Sequence, residues 1–200
     1  MNSIGIVFIL LFTLSAEAQV HAGARFTSMA HAAVALQDVW SVQQNQAGLC
    51  GIKEPVVSLG SIPSFLGNDI KTQAAVIALP YRHNVFGLSF QRYGITEYNE
   101  QKVGLTYARS FNSLFVALHG NYHQLYIQNY GSAQRFSIEA GLQYWASQNL
   151  CLGIHIANPN QSFHNSSIVY IPRSTQVGAS YRFSDQLMLA ASVDQVSNNP

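Results

Sequence analysis

Residues 114–127 read LFVALHGNYHQLYI, and apolar side chains take alternate positions along this stretch. Val116 and Leu118 fall on one side of a strand and His119 and Asn121 on the other, because successive side chains point to opposite faces. The stretch is longer than the usual soluble strand of about five or six residues. It is also long enough for the roughly 9 to 11 residues that a tilted strand needs to cross a bilayer. It therefore predicts a long strand with one apolar and one polar face.

The same period of two runs from about Thr72 to the C-terminal end of the chain. One face carries no charge and is apolar or aromatic, whereas the other is polar, small and rich in glycine. The first face includes Val103, Leu105, Tyr107, Phe136, Ile138, Leu142, Tyr144, Leu152, Ile154, Val177, Tyr181, Leu189 and Val193. Membrane barrels have this arrangement, with the polar face lining the lumen. We expect an all-β fold, an antiparallel transmembrane β-barrel formed by residues 55–200.

Turn residues separate the alternating runs, as expected for antiparallel hairpins. The predicted short turns are Tyr81–Asn84, Phe111–Ser113, Ser147–Asn149 and Ser184–Gln186. The predicted longer loops are Gly94–Glu100, Gln128–Gln134 and Asn158–Thr175. Outer-membrane barrels show the same asymmetry between short periplasmic turns and long outer loops.

Composition bears on which solvent meets the apolar face. Only 10% of the residues are charged, against roughly 25% in a typical soluble domain. The alternative is a soluble β-sandwich or barrel whose apolar face is its core and whose glycine-rich face meets water. A water-facing side is expected to be richer in Lys and Glu, so we favour the membrane. Ten Lys and Arg balance nine Asp and Glu, which argues against a nucleic-acid partner.

The N-terminus has the features of a signal peptide. Ile4–Leu14 is an eleven-residue apolar run followed by Ala16-Glu17-Ala18, a small-residue cleavage pattern. The run is shorter than the about 20 residues of a membrane-spanning helix. We expect residues 1–18 to be removed on export, the alternative being a buried N-terminal strand. Cys50 and Cys151 would then meet an oxidising compartment, where they either pair or stay as buried small side chains.

A short motif of glycine, apolar, polar and aromatic residues repeats along the strands. It occurs at Gly87–Phe90, Gly104–Tyr107, Gly141–Tyr144 and Gly178–Tyr181, and the last three copies start 37 residues apart. Parity places each glycine inside the barrel and each aromatic ring outside, at the lipid face or its interfacial girdle.

The N-terminal part of the mature chain carries a resemblance to a known family. Gly23-Ala24-Arg25, the alanine-rich segment from Ser28 to Ala35 and Asn45-Gln46-Ala47-Gly48-Leu49 precede the strands. Here the chain resembles the FadL-like outer-membrane barrels, which include the PorV and PorQ proteins of Bacteroidetes and have an Asn-Pro-Ala-Gly-Leu motif. Gln46 stands where that family has proline. The segments 98–105 and 178–183 also resemble strands of that family.

The resemblance implies a fold and a role. Residues 19–54 would form a hatch-like segment in the barrel, in which Asn45, Ala47, Gly48 and Leu49 are structural motif residues. Ser28 is expected to cap a short helix there, the alternative being an amphipathic helix on a soluble sheet. Family members transport hydrophobic compounds across the outer membrane or serve type IX secretion. The implied partners are outer-membrane lipid and a hydrophobic small molecule or secretion-system proteins.

The number of strands conflicts with a closed barrel that holds a hatch. We predict eight strands after residue 70, or ten with Pro55–Gly60 and Ser167–Ile171. An eight-stranded barrel has room only for its own side chains. The chain also lacks an aromatic terminal strand before Pro200. We therefore expect that C-terminal strands of the barrel are missing.

The sequence contains no recognisable catalytic or cofactor motif. His119 and His123 share a face but lie about 13 Å apart along a strand, too far for one metal ion. No serine has the Gly-x-Ser-x-Gly context of a hydrolase. We expect a protein that is not an enzyme, binds no cofactor or metal and resides in the outer membrane. The alternatives are an exported soluble β-sandwich with a structural or adhesive role and an outer-membrane barrel hydrolase.

Overall fold

The structure is a computed structural model, and it describes residues 23–63, 70–159 and 171–197. Nine strands form one sheet, in which each strand pairs antiparallel with the next along the chain. Their bounds are β1 Val56–Pro63, β2 Lys71–Tyr81, β3 Asn84–Gly94, β4 Tyr98–Phe111, β5 Leu114–Ile127, β6 Gly131–Trp145, β7 Leu150–Ala157, β8 Arg173–Arg182 and β9 Met188–Ser197. The all-β antiparallel fold is thus confirmed. Within the described residues β1 and β9 do not pair with each other, so closure into a barrel stays a prediction.

The predicted strands are largely confirmed. Eight strands follow residue 70, and the predicted strand at Pro55–Gly60 is β1. For Ser167–Ile171, residues 167–170 lie outside the described residues and Ile171 is not in a strand. The predicted signal peptide, residues 1–18, and Pro200 also lie outside them.

The predicted loop lengths are wrong at one end of the sheet. The connections predicted at Gly94–Glu100 and Gln128–Gln134 contain only residues 95–97 and 128–130, because β4 and β6 begin at Tyr98 and Gly131. Asn99 pairs with Gly94 and Gly131 pairs with Ile127, so the beginnings of β4 and β6 extend the sheet. In the third predicted loop, Asn158–Thr175, β8 begins at Arg173. We call this the loop end of the sheet, and the end with turns 82–83, 112–113, 146–149 and 183–187 the turn end.

The N-terminal segment, residues 23–54, packs against one face of the sheet, which we call the inner face. The segment contains helix α1, Ala24–Ser28, and two 3-10 helices, Val39–Gln43 and Gln46–Gly51. Its apolar side chains, including Phe26, Trp40 and Leu49, form a core with small residues of the sheet. Those residues are Ala74, Val76, Ala78, Val85, Ala108 and Ala117. The opposite face is called the outer face.

The prediction that Ser28 caps a helix is wrong. Ser28 is the last residue of α1, and its hydroxyl donates to the carbonyl oxygen of Arg25 at 2.8 Å. Ala30 and His31 adopt positive φ angles of 50° and 61°, which a right-handed helix does not accommodate. Asp38 forms the cap instead, since its side chain accepts from the backbone N–H of Trp40 at 3.1 Å.

Candidate functional site

The outer face is apolar and exposed. Leu105 is 67% exposed, Leu118 and Ile138 are each 61% exposed, and Phe136 is 78% exposed. Their neighbours in sequence on the other face, such as Thr106, His119 and Glu139, are buried. These strands therefore expose apolar side chains and bury polar ones, whereas a water-soluble sheet covers its apolar face.

The register of the strands reveals a polar row across the outer face near the loop end. Glutamines and one arginine stand directly opposite one another on five neighbouring strands. They are Gln73, Arg92, Gln101, Gln124 and Gln134. The next row toward the turn end is apolar or aromatic throughout: Ala75, Phe90, Val103, Tyr122 and Phe136. The apolar part of the outer face therefore has a sharp boundary.

Aromatic and basic side chains mark the other boundary, at the turn end. Arg82 lies over the ring of Tyr81 at 5.5 Å, and Arg109 lies over the ring of Phe111 at 5.0 Å. Between Arg109 and the polar row, the outer-face positions of the described strands carry no charged side chain. The charge-free band on β4 runs from Val103 to Tyr107, and it is followed at the turn end by Arg109, which stacks on Phe111.

The inner face carries glycine residues where the N-terminal segment contacts it. A Cβ atom at Gly141 would overlap the side-chain oxygen of Asn45, and one at Gly153 would overlap the carbonyl oxygen of Val34. A Cβ at Gly87 would lie 2.9 Å from a methyl group of Leu49. In contrast, a Cβ at Gly120, on the outer face, would meet nothing within 4 Å. The inner glycines therefore leave the space that the segment fills.

The repeated motif supplies the contacts that hold the segment. Gly104, Gly141 and Gly178 lie on the inner face and the tyrosine of each copy on the outer face, as the alternation predicts. Two residues after their glycines, Gln143 and Ser180 donate to the segment's backbone. Gln143 Nε2 donates to the carbonyl oxygens of Val34 and Leu36 at 3.1 and 2.9 Å, and Ser180 Oγ donates to that of Ala35 at 2.9 Å.

The motif residues Asn45, Ala47, Gly48 and Leu49 lie together where the segment meets the sheet. Asn45 Nδ2 donates to the carbonyl oxygens of Val34, at 2.6 Å, and of the strand residues Leu142 and Ile154, at 3.1 and 3.3 Å. Its Oδ1 accepts from the backbone N–H of Ala47 at 3.2 Å. A Cβ at Gly48 would lie 2.6 Å from Ser41 Oγ, so the close packing here requires glycine. Asn45 thus links the segment to two strands.

A buried carboxylate, that of Glu139 on β6, is the centre of a polar cluster on the inner face. Its Oε1 accepts from Asn121 Nδ2 at 2.6 Å and from Lys102 Nζ at 3.2 Å. Its Oε2 accepts from Gln46 Nε2 at 2.7 Å and from His155 Nε2 at 3.1 Å. Four strands and the N-terminal segment therefore meet at one side chain. We call these five residues the Glu139 cluster.

Gln46 is a residue whose role the sequence did not reveal. It stands where the motif of the resembling family has proline. Its side chain is fully buried, and its amide donates a hydrogen bond to the Glu139 carboxylate. Proline at this position could not donate a hydrogen bond from its side chain. Lys102 and Glu139, 37 residues apart, occupy the same place in successive copies of the repeat. This spacing is the signal that could have predicted their ion pair.

Imidazole groups extend the cluster without forming a metal site. His119 Nδ1 lies 2.7 Å from Thr106 Oγ1 and its Nε2 lies 2.7 Å from Asn121 Oδ1, while His123 Nε2 lies 2.8 Å from Ser137 Oγ. Both hydroxyl-bearing residues are buried. No group of three metal-ligating side chains occurs in the described part of the chain.

The sequence left open whether the two cysteines pair. In the structure Cys50 and Cys151 are not bonded to each other. Burial raises the pKa of the Cys50 thiol to about 12, so this thiol stays protonated at neutral pH. Because the thiolate is the species that forms disulfides, Cys50 is poorly reactive.

No helix among the described residues is long and apolar enough to cross a membrane. Comparison with family models, with curated proteins and with solved structures found no match for this chain.

Proposed function

We propose that this chain is an outer-membrane β-barrel protein whose outer face contacts lipid and whose N-terminal segment occupies the lumen as a hatch. The observation that carries the proposal is the burial pattern: the apolar outer face is exposed, whereas the polar and small residues of the inner face are largely buried along β2 to β7. In water an apolar surface of this extent would be costly, at about 25 cal/mol per Å². Soluble monomers rarely expose apolar patches larger than a few hundred Å².

The dimensions of the outer face support the same proposal. On β6, the outer-face residues from Phe136 to Tyr144 span eight steps of about 3.4 Å, or about 27 Å along the strand. A strand tilt of about 40° reduces this to about 21 Å, close to the roughly 25 Å apolar band of membrane barrels. The aromatic rings near both ends of the band would then lie at the two interfaces.

Membrane insertion sets a requirement for the sheet edges. Unpaired backbone N–H and C=O groups are too costly in hydrocarbon, so strands span a bilayer only in closed barrels. β1 and β9 are the two edge strands of the described sheet, so each would need a further partner strand in the bilayer. Closure of the sheet is accordingly part of the proposal.

For the role of the barrel, we follow the resemblance to the FadL-like family with its PorV and PorQ members. The role is transport of hydrophobic compounds or support of type IX protein secretion. The support from this chain is the buried Asn45-Gln46-Ala47-Gly48-Leu49 motif, which joins the segment to the strands through the contacts of Asn45 and Gln46. Deletion of the gene, followed by assays of hydrophobic-compound uptake and of the secreted proteins, separates the two roles. If the deletion impairs neither uptake nor secretion, both roles are contradicted.

Cell fractionation with gel electrophoresis of unheated and heated samples tests the membrane proposal. We expect the mature chain in the outer-membrane fraction, with a change in mobility on heating, because closed barrels resist detergent until heated. Recovery in the soluble periplasm with no mobility change would contradict the proposal and favour an exported soluble β-protein.

A further inference from the structure

We propose that the outer face binds one glycerophospholipid, with an acyl chain in a groove on β5 and β6 and its phosphate at Arg109. This inference rests on the proposed function, since it requires that the outer face meets lipid. It goes further in naming a defined site on a face that otherwise contacts lipid only in bulk.

The groove has a volume of about 410 Å³, within the range of roughly 300–1,000 Å³ for small-molecule sites. The groove forms because Ala140, which is small, stands in register between the larger residues Leu118 and Ile156. Val116, Leu142 and Ile154 contribute further walls. All nine residues that line it are apolar apart from the hydroxyl of Tyr107, so its natural occupant is a hydrocarbon chain.

A positive charge borders the groove on the side of the turn end. Arg109 is the register partner of Val116, one of the groove's walls, and it is exposed. Tyr107, another wall, is fixed by the hydrogen bond from its hydroxyl to Asn84 Oδ1 at 2.9 Å. An acyl chain in the groove would therefore bring its headgroup to the level of Arg109.

The two arginines at this edge are suited to phosphate. Arg109 and Arg82 each lie over an aromatic ring, and no carboxylate lies within ion-pair distance of either in the described residues. A stacked guanidinium keeps its N–H edge free, and that edge binds phosphate oxygens in a bidentate manner. The combination of an uncharged groove and an uncompensated arginine fits a phospholipid better than a second copy of this chain.

Native mass spectrometry of the folded mature chain, exchanged from vesicles of dioleoyl-phosphatidylglycerol into mild detergent, tests the site. We expect one retained lipid per chain. Ala140→Phe, which fills the groove, and Arg109→Gln, which removes the charge, should each reduce retention about tenfold. The matched controls are Ile138→Phe, on the same strand and face, and Arg92→Gln, in the polar row. Both should retain lipid as the native chain does.

Retention at the native level by Ala140→Phe or Arg109→Gln, a similar tenfold loss in the control variants, or a dimer in place of a lipid adduct would overturn the proposal. If Ala140→Phe does not fold, Ala140→Leu fills the groove with less bulk and should still reduce retention. A chain that inserts into membranes but retains no lipid would contradict only this inference. A chain recovered in the soluble periplasm would contradict the proposed function itself.

Discussion

The two faces of β6 differ more from each other than either differs from its neighbours in the sheet. On the outer face, Ile138 is 61% exposed. One residue later, Glu139 is buried and accepts four hydrogen bonds from three strands and the N-terminal segment. Adjacent residues thus meet opposite surroundings, an apolar one outside and a polar one inside. Substitutions placed on one face or the other test this difference.

The largest effect is expected at the buried carboxylate. Replacement Glu139→Leu leaves Lys102, His155, Gln46 and Asn121 without their acceptor. Removal of one partner from a buried ion pair costs about 3–5 kcal/mol. Urea unfolding of the protein in vesicles should show a loss of this size. Glu97→Leu, at an exposed residue of the loop end, is the control and should change the free energy of unfolding little. A similar small change in both variants would contradict the role of the cluster.

The next effect is expected on the outer face. Replacement Leu105→Arg places a charge in the middle of the apolar band, where a membrane barrel loses about 2–4 kcal/mol. The control Gln101→Arg is on the same strand and face but in the polar row, where the cost should be about 0–1 kcal/mol. Folding into vesicles, followed by the heat-dependent gel shift, measures the difference. A soluble sheet would tolerate both substitutions equally well.

Two glycines, one on each face, give a smaller and sharper comparison. Gly141→Ala forces the added methyl group against Asn45, and overpacking of this kind costs about 1–3 kcal/mol. Gly120→Ala has open space around the methyl group and should be neutral or stabilising by up to about 1 kcal/mol. The unfolding temperature should therefore fall in Gly141→Ala and stay the same or rise slightly in Gly120→Ala. If both lose stability equally, the N-terminal segment is not seated against Gly141.

The smallest effect is expected at an exposed ion pair of the N-terminal segment. Arg25 Nη1 lies 3.3 Å from Asp38 Oδ2, and the two side chains are 46% and 21% exposed. Because water screens such pairs, Arg25→Ala should lower the free energy of unfolding by only about 0–1 kcal/mol. Comparison with Glu139→Leu measures how much burial increases the loss in the free energy of unfolding. A loss as large as that of Glu139→Leu would show that the segment is held mainly through Arg25.

The sequence predicted the strands and their two faces because the alternation has a period of two and continues through nearly every strand. It could not give the cross-strand register, and so the polar row from Gln73 to Gln134 became visible only in the structure. It also did not predict the Glu139 cluster, whose members come from residues 46 to 155. The expected helix cap at Ser28 was wrong because alanine-rich composition favours a helix locally, whereas packing on the inner face requires turns at Ala30 and His31.

The central claim is that the outer face contacts hydrocarbon and the inner face does not. Fluorescence quenching by lipids with brominated acyl chains measures this contact directly. One variant carries Leu105→Trp with both native tryptophans replaced by Phe, and the other keeps only Trp40, which is buried in the N-terminal segment. We predict strong quenching of the tryptophan at position 105 and little quenching of Trp40. Equal quenching, or none at position 105 in a folded protein, would contradict the account.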